Sequence, residues 1–416
     1  MTIAAPDPNN AWRCETPGQE GWPRSARPDA ADKFFIASAD GHVQEPNDFL
    51  EARVDPNWHD RLPGMVAGAG RGKMAQKVDG FREPLKVRDI HFEGEDQLRT
   101  RAGREPEERI TDLAADGVDA EILFPNKGLT IWATRSAELS AAMCRAYNDW
   151  AWECFADHAE QLVPMAAIAP GDLEVAIAEI QRCADLGFKG LALPCKPQWG
   201  PPDHADPNYN LREFDPLWAA ICEVDLPVTF HVSTGRDPRT SRSRGGAVIN
   251  YAVHSLAPTM EPIVNLCASG VAEQFPTLRF GTIEAGIGWV AWALQAMDEA
   301  YRKHHMFVRP KLELLPSEYF RRQGFASFQE DKVGLDLARE HGLIGNFLWA
   351  NDYPHHEGTW PHSPEAIERT MGHLADAERA RILGLNCAEV FKLPIPERYH
   401  GHADAAAAAA RISAAR

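Results

Sequence analysis

The chain has 416 residues, 44% of them hydrophobic and 25% charged, which is material for one large soluble core. Its formal net charge of −17 argues against nucleic acid or an anionic membrane as a partner, because both are held by clustered Lys and Arg. Eight cysteines without a C-x-x-C pair leave no zinc knuckle or thioredoxin motif, and read as buried free thiols.

Residues 1–32 are rich in Pro, Gly, Asp and Arg without a hydrophobic period. They predict an irregular arm, disordered or wrapped around a neighbouring copy, and with it a homodimer. The start lacks the basic and apolar runs of a signal peptide, and no stretch reaches the about 18 apolar residues of a membrane span. A cytoplasmic location is the expectation.

From 33 to 398 the chain reads as one domain. Short apolar runs alternate with amphipathic stretches, the rhythm of a parallel sheet with helical crossovers. The predicted strands are Phe35–Asp40, Ala120–Phe124, Val163–Ile168, Gly190–Pro194, Val228–His231, Leu278–Glu284, Phe325–Phe328 and Phe347–Asp352. Between them, Ser136–His158 and Leu173–Leu186 carry helical spacing, the latter stopped by Gly187. Trp289, Trp292, Met297 and Tyr301 follow helical spacing and read as core. No G-x-G-x-x-G follows an early strand, so eight strands predict an α/β fold of the (βα)8 TIM-barrel type rather than a doubly wound sheet. Residues 41–110 form an insertion after the first strand, far longer than the usual βα loop, and a candidate lid over the mouth. Trp58, His59, His91 and Phe92 lie in it. Residues 399–416 are an Ala-rich tail.

Polar residues finish several of these strands. Asp40 and His42 form a D-x-H pair whose side chains share one face of a strand, since strand side chains alternate. His231 ends Leu226-Pro-Val-Thr-Phe230, and Asp352 ends Phe347-Leu-Trp-Ala-Asn351. In a barrel all of these ends face the mouth, where active sites lie. Metal-ligand residue types on strands one, five and eight therefore point to a metal site.

The segments Ser38-Ala-Asp-Gly-His-Val-Gln-Glu-Pro46, Asp116-Gly-Val-Asp-Ala-Glu-Ile-Leu-Phe-Pro125, Leu226-Pro-Val-Thr-Phe-His231 and Trp349-Ala-Asn-Asp-Tyr-Pro-His355 resemble the amidohydrolase superfamily. The likeness is to its amidohydrolase-related branch, which includes aminocarboxymuconate-semialdehyde and resorcylate-type decarboxylases. It spans about residues 33–395. The resemblance implies a divalent ion held by Asp40, His42, His231 and Asp352, with Asp352 positioning or deprotonating a bound water. Zn, Mn and Fe all suit such donors, and the D-x-H pair, in place of the H-x-H of much of the superfamily, shifts preference toward the harder ions.

A second departure lies at strand six, where those decarboxylases carry an acid/base His and this chain has Glu284. Glu284 is either a ligand or a general acid raised by burial. Glu45 joins the ligand candidates, and the six carboxylates and imidazoles make one ion, or two, per chain the expectation. His254 is expected to orient a ligand from behind. Arg236 and Arg239, in a basic loop after strand five, and His355 are candidates for binding a carboxylate-bearing small-molecule substrate. The leading expectation is a metal-dependent hydrolase of a small acid, ester, lactone or amide, with Asp352 and Glu284 catalytic. Its alternatives are a non-oxidative decarboxylase of an aromatic or unsaturated acid, and a dinuclear non-haem iron oxygenase.

Overall fold

The computed structural model describes residues 8–67, 74–80, 85–86, 93–100, 102–200, 205–234 and 244–401. Eight parallel strands follow one another in sequence: β1 (Ala37–His42), β2 (Ala120–Phe124), β3 (Leu162–Ala167), β4 (Leu191–Leu193), β5 (Val228–His231), β6 (Phe280–Ile283), β7 (Gly324–Phe328) and β8 (Phe347–Trp349). β3 is interrupted at Met165. Its first part, Leu162–Pro164, pairs with β2 and its second, Ala166–Ala167, with β4.

The order β4–β5–β6–β7–β8 then continues in unbroken parallel register. The segment after β8 returns to β1: Asp352 N–H donates to the Asp40 carbonyl at 3.1 Å and His42 N–H to the Tyr353 carbonyl at 2.6 Å. The neighbours thus run in a circle, as the barrel expectation requires. Every residue of β1, β2, β5, β6 and β7 is buried, which is why these strands read as apolar runs rather than alternating ones.

Several strand ends differ from the expected ones, the C-terminal ends of β3, β4 and β6 by one residue each. β1 runs on to His42 instead of stopping at Asp40, and β8 stops at Trp349 instead of Asp352. The reason lies in the backbone. Asp352 adopts φ 53°, the left-handed region that no strand residue can hold.

The helices begin and end where their caps dictate. Ser136 accepts from Leu139 N–H ahead of Ala137–Phe155. Asp172 accepts from Glu174 and Val175 N–H ahead of Leu173–Leu186, and Gly187 ends that helix at φ 112°. In the helix Gly288–Lys303, Met297 is buried as expected, but Trp292 is exposed.

The insertion contains a small antiparallel sheet of Gly64–Ala67, Met74–Lys77 and Leu85–Lys86, followed by the helix Gly94–Arg99. Asp79 ties it to the barrel by accepting from Arg61 and from the Thr134 hydroxyl beyond β2. His91 and Phe92 lie outside the described residues.

The arm lies on its own chain. Residues 8–32 contain one 3-10 turn, Ala11–Cys14. Arg24 pairs with Asp376 and Arg27 with Glu368, so the described part is anchored to the barrel of its own chain. Among the described residues no helix is long and apolar enough to cross a membrane.

Candidate metal centre

Asp40 and His42 are both fully buried on β1. The strand is irregular between Ser38 and Gly41, where its register against β2 shifts. Gly41 is required there, because a Cβ would collide with the Glu121 carboxylate beneath it. His42 Nδ1 lies 2.9 Å from the Pro125 carbonyl, which accepts its proton and leaves Nε2 facing the mouth. The Nδ1 atom of His231 is likewise 2.8 Å from the Val232 carbonyl, turning its Nε2 inward from β5.

The inward atoms converge. His42 Nε2 lies 3.6 Å from Asp40 Oδ1, 3.9 Å from Glu284 Oε2 and 3.5 Å from Asp352 Oδ1. His231 Nε2 lies 3.4 Å from Asp40 Oδ1 and 3.6 Å from Glu284 Oε2. Donors around an ion at about 2.1 Å sit about 3.4 Å apart in a tetrahedral shell, so these separations suit ligands sharing a cation. Two overlapping groups result, Asp40, His42, His231 and Glu284 in one, and His42, Glu284, Asp352 and His355 in the other, each with donor atoms within 4.8 Å of one another.

Buried polar atoms without hydrogen-bond partners test the fit. They include Asp40 Oδ2, His42 Nε2 and both oxygens of Asp352. Leaving such atoms unpaired costs about 1–3 kcal/mol each, and more for charged groups. Their coincidence at one point is what a cation's coordination shell resolves.

Electrostatics agree. Burial, then the neighbouring His355 and His231, holds His42 well below the ordinary imidazole value, so the ring is neutral and free to ligate. Burial, followed by the charges of Asp352 and Asp40, pushes Glu284 well above the carboxylate range. Asp352 is pushed the same way by burial and Asp40. A cation here reverses that repulsion.

Backbone strain places the two carboxylates. Glu284 at φ 59° and Asp352 at φ 53° are both left-handed, a conformation costing on the order of 1–3 kcal/mol for such residues. Glu284 is held by its N–H to the Ser327 hydroxyl at 3.0 Å. Asn351, beside Asp352, is held by the Ser38 hydroxyl at 2.8 Å.

His355 approaches as well. Its ring stacks on His42 at 3.9 Å between centroids, and its Nδ1 lies 3.0 Å from Asp352 Oδ1.

Other expected residues lie elsewhere. Glu45 is turned away from the ligand position expected for it: its two oxygens accept the backbone N–H groups of Asn126 and Lys127, and it belongs to neither donor group. It secures the loop after β2 instead. His254 sits in a π-helical turn, Ala252–Leu256, with Nδ1 buried and without a hydrogen-bond partner, and no contact with a ligand supports an orienting role. Arg236 and Arg239 lie outside the described residues.

Sequence reasoning missed the supports. Arg109, fully buried, donates to Glu121 Oε2 at 2.5 Å and to the His42 carbonyl, with its guanidinium 4.7 Å from the Tyr353 ring centroid. One signal was available, a Glu inside the buried run Ala120–Phe124, since an acidic residue there requires a partner. Across the mouth, the His231 carbonyl accepts from the Thr234 hydroxyl at 2.7 Å and the Cys195 thiol at 3.3 Å.

Comparison with known proteins places this arrangement. The Amidohydrolase family model matches residues 39–393. The chain is 24% identical over 305 residues to a gamma-resorcylate decarboxylase of Rhizobium sp. (strain MTP-10005), covering 68% of this chain and 86% of that protein. Its fold is similar to that of an amidohydrolase from Mycobacterium avium subsp. paratuberculosis, with TM-score 0.68, 18% identity, and 87% and 100% of the two chains covered. It is also similar to a dihydroxybenzoic acid decarboxylase from Polaromonas sp. JS666 solved with bound manganese and the inhibitor 2-nitroresorcinol, with TM-score 0.58, 18% identity, and 88% and 99% covered. A barrel whose strand ends gather His, Asp and Glu donors suited to a divalent metal, matched across nearly its whole length, makes this chain an enzyme that belongs to the amidohydrolase family.

Proposed function

We propose that the protein is a metal-dependent, non-oxidative decarboxylase of a hydroxylated aromatic acid. The observation that carries this reading is a buried carboxyl, Asp352, whose Oδ1 lies 3.5 Å from His42 Nε2 at the edge of the donor group Asp40, His42, His231 and Glu284. Decarboxylation needs a proton for the carbon that loses the carboxylate, and a raised, desolvated carboxyl can supply it. The hydrolase expectation ranks behind it, because the similar proteins that carry a named reaction are decarboxylases. We assign the ion to Asp40, His42, His231 and Glu284. A bound ion would supply positive charge to attract the carboxylate of a hydroxylated aromatic acid.

The chain's own residues do the rest. Asp352 delivers its proton to the ring carbon bearing the carboxylate; the C–C bond then breaks, carbon dioxide leaves, and the bonding electrons restore the aromatic ring. His355, 3.0 Å from Asp352 Oδ1, orients that carboxyl and returns its proton. Glu284 fills the strand-six position as a ligand, which answers the departure seen there in the sequence.

Carbon dioxide release from 2,6-dihydroxybenzoate and related hydroxybenzoates, measured on manganese-loaded protein, tests the reading. Release abolished by Asp352→Asn supports it. Hydrolysis of aryl esters or lactones with no release of carbon dioxide overturns it.

A further inference from the structure

The loop after β8 carries His355, yet much of what holds it comes from far away in the chain. Arg13, in the arm, is buried and donates through one guanidinium nitrogen to the Gly358 carbonyl at 2.6 Å and through another to the His356 carbonyl at 2.7 Å. Arg99, in the insertion's helix, is 1% exposed and donates to the carbonyls of His355 at 3.1 Å and Gly358 at 3.2 Å. Two guanidinium groups from two separate additions to the barrel therefore meet on one short loop.

Each guanidinium is itself fixed. Arg99 is paired with Glu95 at 2.7 Å, and the second Glu95 oxygen lies 3.2 Å from His362 Nε2. His362 Nδ1 in turn lies 3.6 Å from the Cys14 thiol, next to Arg13. Arg13 Nε donates to the Asn10 side-chain oxygen at 3.1 Å, while Asn10 Nδ2 donates to Asp96 at 3.1 Å. Arm, insertion and loop form one connected network, and bringing two like-charged groups together in a buried place is costly unless the carbonyls they share require it.

We propose that Arg13 and Arg99 are positioning residues for the active site: together they clamp the carbonyls of 355–358 and so hold the His355 ring against His42 and Asp352. The N-terminal arm and the insertion are thereby parts of the catalytic apparatus rather than decoration of the barrel. Neither residue touches the reacting atoms. Their effect passes through the loop's backbone.

The test uses the full chain with Arg13→Met and Arg13→Lys, because Arg13 lies in the arm, outside the strands that build the barrel. Backbone hydrogen exchange is followed at His355, Gly358 and Thr359, whose N–H groups bond to Asp352, His355 and Asn351 carbonyls, and at β5 as a reference. Carbethoxylation of His355 is read by mass spectrometry in parallel. We expect Arg13→Met to speed exchange in the loop by about tenfold or more, the scale of losing charge-assisted hydrogen bonds. Labelling of His355 should rise with it, β5 should stay unchanged, and Arg13→Lys should recover part of the protection. Unchanged loop exchange in Arg13→Met, or acceleration spread equally over β5, overturns the proposal. Neither measurement uses turnover, so a failed decarboxylation assay leaves this result standing.

Discussion

The two sides of the barrel mouth are held by different physics. On the β1/β8 side, Asp40, His42, Asp352 and His355 rest on buried charge: Arg109 against Glu121 beneath Gly41, and Arg13 with Arg99 around the following loop. On the β5/β6 side the holding groups are neutral: the Thr234 hydroxyl and the Cys195 thiol donate to the His231 carbonyl, and the Ser327 hydroxyl accepts from the Glu284 N–H. A buried ion pair contributes little net stability, yet breaking it strands a charge. A neutral hydrogen bond can be removed at modest cost. The physical difference predicts that the charged side is the costlier one to disturb and the neutral side the cheaper.

The largest expected effect tests the chemistry on the charged side. Asp352→Asn should lower kcat for the decarboxylated hydroxybenzoate by about 10²–10⁴-fold, the range for losing a general acid, with an unchanged circular dichroism spectrum. Near-normal turnover removes Asp352 from the reaction.

Next comes the buried pair. Arg109→Met should destabilise the protein by about 3–5 kcal/mol in urea unfolding, because Glu121 is left buried without its cation. Adding Glu121→Gln to Arg109→Met should restore much of that loss. A cost no greater than that of a neutral hydrogen bond would erase the contrast between the two sides.

Ion binding gives a pH dependence whose sign follows from the site. Burial and mutual repulsion raise Glu284 and Asp352 above the ordinary carboxylate range, so a cation must displace protons to enter. Manganese affinity should therefore rise with pH, by about tenfold or more between mildly acidic and mildly alkaline solution, as read by calorimetry on metal-free protein. Without the cation the same raised groups make the fold less stable as pH climbs from the unfolded carboxylate value through their folded values, and added manganese should oppose that trend in thermal unfolding. Affinity independent of pH would place the ion away from these carboxylates. Glu284→Gln should weaken binding further if Glu284 is a ligand, and leave it unaltered if it is only an acid.

The smallest effect belongs to the neutral side. Ser327→Ala should cost about 1 kcal/mol in the same unfolding assay, with manganese still bound.

The residues that meet at the mouth could be named from sequence because a parallel barrel strand is a short apolar run, and a polar residue ending one has a fixed destination. Asp40, His42, His231, Glu284 and Asp352 all followed that rule. Glu45 did not, because it lies beyond the strand, where a loop turns its carboxylate onto the amides of Asn126 and Lys127. Arg13 and Arg99 left no comparable signal. Their partners are backbone carbonyls, which every residue possesses, more than 250 positions away.

By itself, then, the sequence determined the strand order, the donors at the strand ends and the kind of ion they suit, since these depend on local periodicity and residue chemistry. Only the tertiary structure decided which donors converge at one point of the mouth, and that the arm and insertion close on the β8 loop. Those outcomes depend on burial, backbone strain at Glu284 and Asp352, and contacts between distant segments, which no local pattern encodes.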